Sequence, residues 1–344
     1  RRLPAYGPTG KLLLPLPIMP GRFEARLDQT LADYALPLYR RALLESGPRA
    51  ALLMASGDVL LRFDPLTLPP LQADACVIGM RVPPEVAKDF GVAFIRRQGR
   101  DSGQAERPLT FFLQKPAAAT IRSLMPDYDF VVDSGLWLLS AKAVHWLLQA
   151  SGAKLDQCRV GQALPTLRPC DFYAGLAPLL GDEAAGHLPG GTALPELRAS
   201  VVVPPQAIFH HLGSSRQLLE TLASNPAGTW GGRPHWVVAS SGWQIQAGDR
   251  HPVWIENCAG TGHLSAGGHN LLTGLPAGAT ISSLPAGIGV DAVPVGTAAW
   301  VLRVYHLDDP LRGPAGDTNT RIAGQSAPAW LAARGGVVGE QSAA

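Results

Sequence analysis

Charge is scarce in this sequence. Asp, Glu, Lys and Arg make up 16% of the 344 residues and nearly cancel, for a formal net charge of +2. With no dense run of Lys or Arg, the chain lacks the electrostatic footprint of a nucleic-acid binder, and no nucleic-acid partner is expected. Long apolar runs are missing as well. No stretch of about 18 apolar residues occurs, so no membrane-spanning helix and no membrane partner are expected. Cysteine is sparse, and Cys76, Cys158, Cys170 and Cys258 show no CxxC spacing, which argues against a zinc site or a disulfide framework. Buried free thiols in a reducing cytoplasm are the expectation. Two catalytic signatures are absent, the GxxxxGK[ST] phosphate loop and the GxSxG nucleophile elbow.

Glycine and proline are abundant, 38 and 31 residues, which implies many turns between short strands. Hydrophobic residues make up 46%, and the length suits two domains at about 100–200 residues each. The chain opens on Arg1-Arg2-Leu3-Pro4 without an initiator Met or a signal-peptide apolar region, and it reads as a piece of something longer.

The first two thirds alternate strand and helix patterns. Residues 27–45 carry helical spacing around Pro37. The apolar runs 51–63 (broken at Gly57-Asp58), 73–82, 109–116 and 130–139 read as buried strands, and Ser140 as the N-cap of a following helix. This predicts an α/β layer with a mostly parallel sheet. Residues 152–200 are loop-rich, and 214–224 form a last helix. From Pro226 onward short apolar pieces recur between glycines without a fixed period, which predicts a β-rich solenoid, preferably a β-helix. The expected domains are therefore 1–225 and 226–344.

Several residues carry candidate chemistry. Asp58 follows a Leu- and Met-rich strand through Ser56-Gly57, and a hard carboxylate there suits Mg²⁺ carrying phosphates. Taken alone, a turn-capping Asp is the commoner case. Lys11 closes a Gly- and Pro-rich loop of the kind whose backbone amides cradle phosphate, although by itself a solvated loop is commoner. Lys115 ends a strand in FFLQKP and is either a phosphate-holding cation or an ordinary exposed lysine. Asp133 interrupts an apolar strand, where it meets a ligand or caps a turn. His210-His211 stand before a helix without a third ligand at zinc spacing.

The order of these features is more specific than any one of them. RRLPAYGPTGKLLLPLP, RLDQTLADYALPLY, LLMASGDVLLRF, DFGVAF, FLQKP, DSGLWLLSAKAV, WIENC, HNLLTGLP, GVDAVPVG and RVYHLDDPLRG follow one another along the chain. Together they resemble the fucose-1-phosphate guanylyltransferase (GDP-fucose pyrophosphorylase) family, including the guanylyltransferase half of bifunctional fucokinase enzymes.

The resemblance implies a Rossmann-like (GT-A-like) nucleotidyltransferase domain followed by a left-handed parallel β-helix. It implies GTP and β-L-fucose 1-phosphate as substrates, GDP-L-fucose and pyrophosphate as products, and Mg²⁺ as cofactor. It also implies that Arg2 and Lys11 hold the triphosphate and that Asp58 binds Mg²⁺. Lys115 would hold the sugar's phosphate, and Gly57, Asp133, Gly135 and His211 would contact substrate.

Two departures stand out. The glycine-rich half of the nucleotide loop does not precede Arg1, and His211 stands where many bacterial relatives carry a second Mg²⁺-binding Asp, a role for which Asp133 is the substitute candidate. A fused sugar-kinase domain, self-association through the β-rich half and a cytoplasmic location are further expectations. The alternatives are a nucleotidyltransferase for another sugar 1-phosphate, such as D-arabinose or a heptose, and a non-catalytic sugar-nucleotide-binding regulator.

Overall fold

A computed structural model describes residues 30–97, 105–150, 171–183, 197–224, 235–238, 240, 242–248, 251–259, 262–295, 299–309 and 316–335. The chain forms two compact units, Ala35–His210 and His211–Ala344, the second including the chain up to Tyr34. The units part ahead of the composition change at Pro226.

Helix α1 (Leu31–Glu45) begins on a capping arrangement in which the Thr30 amide donates to Asp33 Oδ2 (2.7 Å) and the Asp33 amide donates back to Thr30 Oγ1 (3.4 Å). Leu31, Ala35, Tyr39 and Ala42 bury one face, and Pro37 sits inside the helix without dividing it. It stops at Gly47, whose φ of +76° is the left-handed conformation that favours glycine after a helix. The expected first residues of this helix, 27–29, lie outside the described residues.

The elements that follow are β1 (Ala50–Ala55), β2 (Val59–Arg62), β3 (Ala75–Met80), the single turn α2 (Pro84–Ala87), β4 (Gly91–Arg96), β5 (Glu106–Pro108) and β6 (Phe111–Gln114). After these come α3 (Ala118–Leu124), β7 (Tyr128–Ser140), α4 (Ala141–Ala150), β8 (Ala199–Val202), β9 (Ile208–His211) and α5 (Ser215–Ser224). As expected, Ser140 caps α4, accepting from the Ala143 amide at 3.2 Å. The main sheet runs in the order β5-β8-β3-β7-β4-β6, with β1 also on β7, and β2 pairs with β9.

The expected mostly parallel sheet is corrected here. Among the described residues of this sheet only β3 and β8 pair parallel, while β7 runs antiparallel to β1, β3 and β4. The apolar runs 73–82 and 130–139 are buried as expected, but the run 51–63 is corrected: it divides into β1, which has no buried residue, and β2, whose Val59, Leu60 and Leu61 are buried. β3 is buried at every residue because both its faces are covered, and two-sided burial removes alternation whichever way the neighbours run. Trp137, Val77, Phe112 and Leu139 lie in the core beneath α4.

In the second unit, β10 (His235–Val238), β12 (Val253–Glu256), β14 (Asn270–Thr273) and β16 (Ile288–Val295) pair in parallel, His235 beside Val253, Val253 beside Asn270, Leu271 beside Gly289. A second parallel ladder joins β11 (Trp243–Gln246), β13 (Gly262–Ala266) and β15 (Ser283–Leu284). The chain thus returns to the same register on each circuit, the behaviour of a solenoid, around a core of Val253, Ile255, Leu264, Leu272 and Val290. Strand β17 (Ala299–His306) closes the first ladder antiparallel to β16, followed by β18 (Arg321–Ile322), β19 (Gln325–Ser326) and α6 (Ala327–Ala332). Asn270, fully buried, ties the turns together by accepting from the Gly268 amide (2.9 Å) and donating to the carbonyls of Pro285 (2.7 Å) and Ile288 (3.0 Å).

Cys76 and Cys258 are buried free thiols, and burial pushes the Cys76 thiol up to about 12. Cys158 and Cys170 lie outside the described residues. Among the described residues no helix is long and apolar enough to cross a membrane.

Candidate active site

Strand β7 is the spine of the site. Its first half pairs with β4 (Val132 opposite Val92) and its second half with β1 (Leu136 opposite Ala55), both on the same side. Between them, at Asp133–Gly135, the register against β3 shifts: Ile78 faces Leu136 while Gly79 faces Asp133. This is a β-bulge, with Gly135 at φ +81° supplying the conformation and Ser134 Oγ donating to the Ile78 carbonyl at 2.7 Å. The bulge opens a gap along β7 between its pairings with β4 and β1, and the turn after β1 fills it. The Ser56 amide donates to the Gly135 carbonyl (2.8 Å), and Ser56 Oγ donates to Asp58 Oδ1 (2.6 Å). Gly57, Asp58, Asp133 and Gly135, far apart in sequence, are thereby brought together.

Gly135 is there for space as well as for φ. A Cβ on it would lie 2.7 Å from Ser56 Cβ. Gly135→Ala is therefore expected to destabilise the fold by about 1–3 kcal/mol through strain and overpacking. A thermal melt checks this, and an unchanged midpoint would contradict the packing described.

Asp133 is 5% exposed, and both its oxygens are engaged inside the protein: Oδ1 accepts from the Gly135 amide (2.7 Å) and Oδ2 from Trp137 Nε1 (2.8 Å). Burial pushes its carboxyl up to about 7, against the two hydrogen bonds that lower it. An acid with a folded pKa above its unfolded value favours the native state most at low pH. That contribution is lost as pH rises from about 4 to 7. The thermal midpoint of the native chain should accordingly fall relative to that of Asp133→Asn over this range, and parallel curves would contradict it.

Tyr173 completes the cluster. It sits in a π-helical turn (Phe172–Leu176) capped by Asp171, whose Oδ1 accepts from the Tyr173 and Ala174 amides. Phe172 packs edge-on against Trp137 at 5.1 Å. Burial first, then the carboxylates of Asp133, Asp58 and Asp171, push the Tyr173 phenol up. The sequence reading missed Tyr173 and Trp137 as parts of this cluster. Tyr173 falls in a stretch without periodicity, whereas Trp137 is part of the DSGLW run.

Lys115 follows β6, and β4 lies between that strand and β7. β6 pairs with β4 up to Gly91 opposite Gln114, and the Lys115 amide then donates to the Phe90 carbonyl at 2.9 Å. Its side chain is exposed and its φ is +48°, a left-handed conformation that costs a lysine energy. Phe209 of β9 packs edge-on against Phe90 at 5.4 Å, which draws β9 towards this edge. His211 ends β9, half-buried, with its ring folded over Gly213, where a Cβ would lie 2.2 Å from His211 Cε1. The expected phosphate-holding residues Arg2 and Lys11 lie outside the described residues.

Among the described residues no three His, Cys, Asp or Glu side chains gather as a metal site. Asp58 fits Mg²⁺ in a narrower sense. It is a half-buried hard carboxylate at a turn, and Mg²⁺ is commonly held by one or two carboxylates plus substrate phosphates.

No protein-family profile matches the chain. It is similar, at 30% identity over a 353-residue alignment covering 97% of its length, to the L-fucokinase/L-fucose-1-P guanylyltransferase of Bacteroides fragilis. The chain spans 35% of that relative's length. Among solved structures it is similar to one titled mannose-1-phosphate geranyltransferase from Thermus thermophilus, at 17% identity and a TM-score of 0.39, covering 80% of this chain and 70% of that one. That likeness is too distant to bear on the site.

Proposed function

We propose that the chain is a sugar-1-phosphate nucleotidyltransferase that makes GDP-L-fucose and pyrophosphate from GTP and β-L-fucose 1-phosphate. The observation that supports this reading is the turn seated on the β7 bulge, where Ser56 bonds both the Gly135 carbonyl and a half-buried carboxylate, Asp58. The similarity to a fucose-1-phosphate guanylyltransferase along nearly the whole chain supports it and supplies the sugar and the base.

In this reaction an oxygen of the sugar phosphate forms a bond to the α-phosphorus of the nucleotide while the bond to the pyrophosphate oxygen breaks. The nucleophile is already an anion, so no general base is required. The obstacle is to bring two polyanions together and to neutralise the charge that develops between them. Lys115 holds the phosphate of the sugar, while Arg2 and Lys11 hold the triphosphate. Asp58, oriented by Ser56, holds Mg²⁺, which supplies charge neutralisation on the phosphates when bound.

Gly57 and Gly135 let substrate approach the backbone. Asp133 acts by bracing the bulge through Gly135 and Trp137, in place of the direct substrate contact or second metal contact expected from the sequence. His211 contacts substrate. The two parallel ladders of the second unit are turns of a left-handed β-helix, and a sugar-kinase domain accompanies the chain in its parent protein.

The test is pyrophosphate release by the parent protein with Mg²⁺, crossing GTP, ATP and UTP with fucose, mannose, glucose and arabinose 1-phosphates. Release confined to GTP with fucose 1-phosphate is expected. Release with another pair would keep the mechanism and replace the substrate, and nucleotide binding without release would favour a regulator.

A further inference from the structure

Gly135 is the residue at which two halves of the site meet. Its amide donates to Asp133 Oδ1 at 2.7 Å, and its carbonyl accepts from the Ser56 amide at 2.8 Å. The Ser56 hydroxyl in turn donates to Asp58 Oδ1 at 2.6 Å. At the other end, Trp137 Nε1 donates to Asp133 Oδ2 at 2.8 Å, and that indole is fully buried. An unbroken chain of hydrogen bonds thus runs from a core indole, through the bulge, to a half-buried carboxylate at a turn.

Packing holds the turn at the same residue. A Cβ on Gly135 would lie 2.7 Å from Ser56 Cβ and 3.5 Å from Val59 Cγ1. The residues on either side of Gly57-Asp58 therefore both rest on Gly135, and Val59 is itself buried. Asp133 fixes that glycine with two acceptors, one for the Gly135 amide and one for the Trp137 indole. An amide side chain has a single acceptor oxygen and could serve only one of those two donors.

On the reading that Asp58 holds Mg²⁺, we infer that Ser56 and Asp133 are positioning residues for that carboxylate. They set the affinity for a nucleotide-bound divalent cation without touching the cation or the sugar. Ser56 acts directly, by holding one oxygen of Asp58. Asp133 acts at a distance, by holding the glycine on which the turn sits. A carboxylate already held in one orientation loses less freedom when the cation arrives, and binding is tighter for it. The whole effect of both residues passes through Asp58, and that is what separates a positioning role from a merely structural one.

The experiment measures binding of Mn²⁺–GTP to the parent protein by water-proton relaxation, beside a thermal melt of each variant. Ser56→Ala is expected to weaken binding about tenfold, and Asp133→Asn about threefold. In an Asp58→Asn background neither change is expected to weaken it further, because both act through that carboxylate. A Ser56→Ala protein that binds like the native one, or an effect that persists in full without the Asp58 charge, would overturn the inference and leave the metal assignment standing. A lower melting midpoint with unchanged affinity would overturn it too, showing that these bonds serve the fold alone. A native protein that does not bind Mn²⁺–GTP, or an Asp58→Asn variant that binds it equally well, would remove the metal assignment and the inference with it. If Asp133→Asn does not fold, Ser56→Ala decides, since it keeps the backbone bond to Gly135 and removes only the hydroxyl.

Discussion

Asp58→Asn is expected to lower nucleotidyl transfer by about a hundredfold or more, the size of losing one charge contact in the transition state. The substitution is nearly isosteric, and Asn Oδ1 can still accept from Ser56 Oγ, the bond that now spans 2.6 Å. The turn therefore keeps its seat on the Gly135 carbonyl while the negative charge is lost. Thermal stability should change little. Steady-state turnover measured beside a thermal melt separates the two effects. Near-normal turnover in a folded Asp58→Asn protein would remove Asp58 from the site.

Lys115→Gly should separate stability from activity in the opposite direction. At φ +48° a lysine pays for a conformation that glycine adopts freely, so the glycine variant should be as stable as the native chain or more stable by about 1 kcal/mol. The same change removes the cation after β6, and turnover should fall by about a hundredfold. A strained, exposed residue is most simply understood through what its side chain does. A variant that is both less stable and fully active would show that Lys115 serves the fold instead.

Much of the first unit could be read from the residues. The helical spacing of Leu31, Ala35, Tyr39 and Ala42, and the apolar runs that became β3, β6 and β7, located the elements to within a few residues. Strand direction was not legible, because burial on both faces erases the alternation that would separate a parallel interior from an antiparallel one. The bulge left a trace, a glycine inside an apolar strand at Gly135, but one glycine does not say which turn will fill the gap beside it. That Ser56 would seat on Gly135 is a tertiary fact.

In the second unit the ladder spacing is nearly constant, yet the inward residues Val253, Leu264, Leu272 and Val290 repeat only in being apolar, so no period stood out. Ser56 seats the turn that carries Gly57 and Asp58 on the Asp133–Gly135 bulge, whereas Lys115 follows β6, with β4 between that strand and β7. Asp133 was harder to place. An Asp in an apolar strand signals either a ligand or an internal bond, and only the positions of Trp137 Nε1 and the Gly135 amide decide between them.

The measurement that bears most directly on the central claim is pyrophosphate release from GTP with fucose 1-phosphate and Mg²⁺, made on the parent protein and on Asp58→Asn side by side. Release that depends on both substrates and falls about a hundredfold in the variant is the predicted result. A folded parent protein that binds nucleotide yet releases no pyrophosphate with any sugar phosphate in the panel would contradict it.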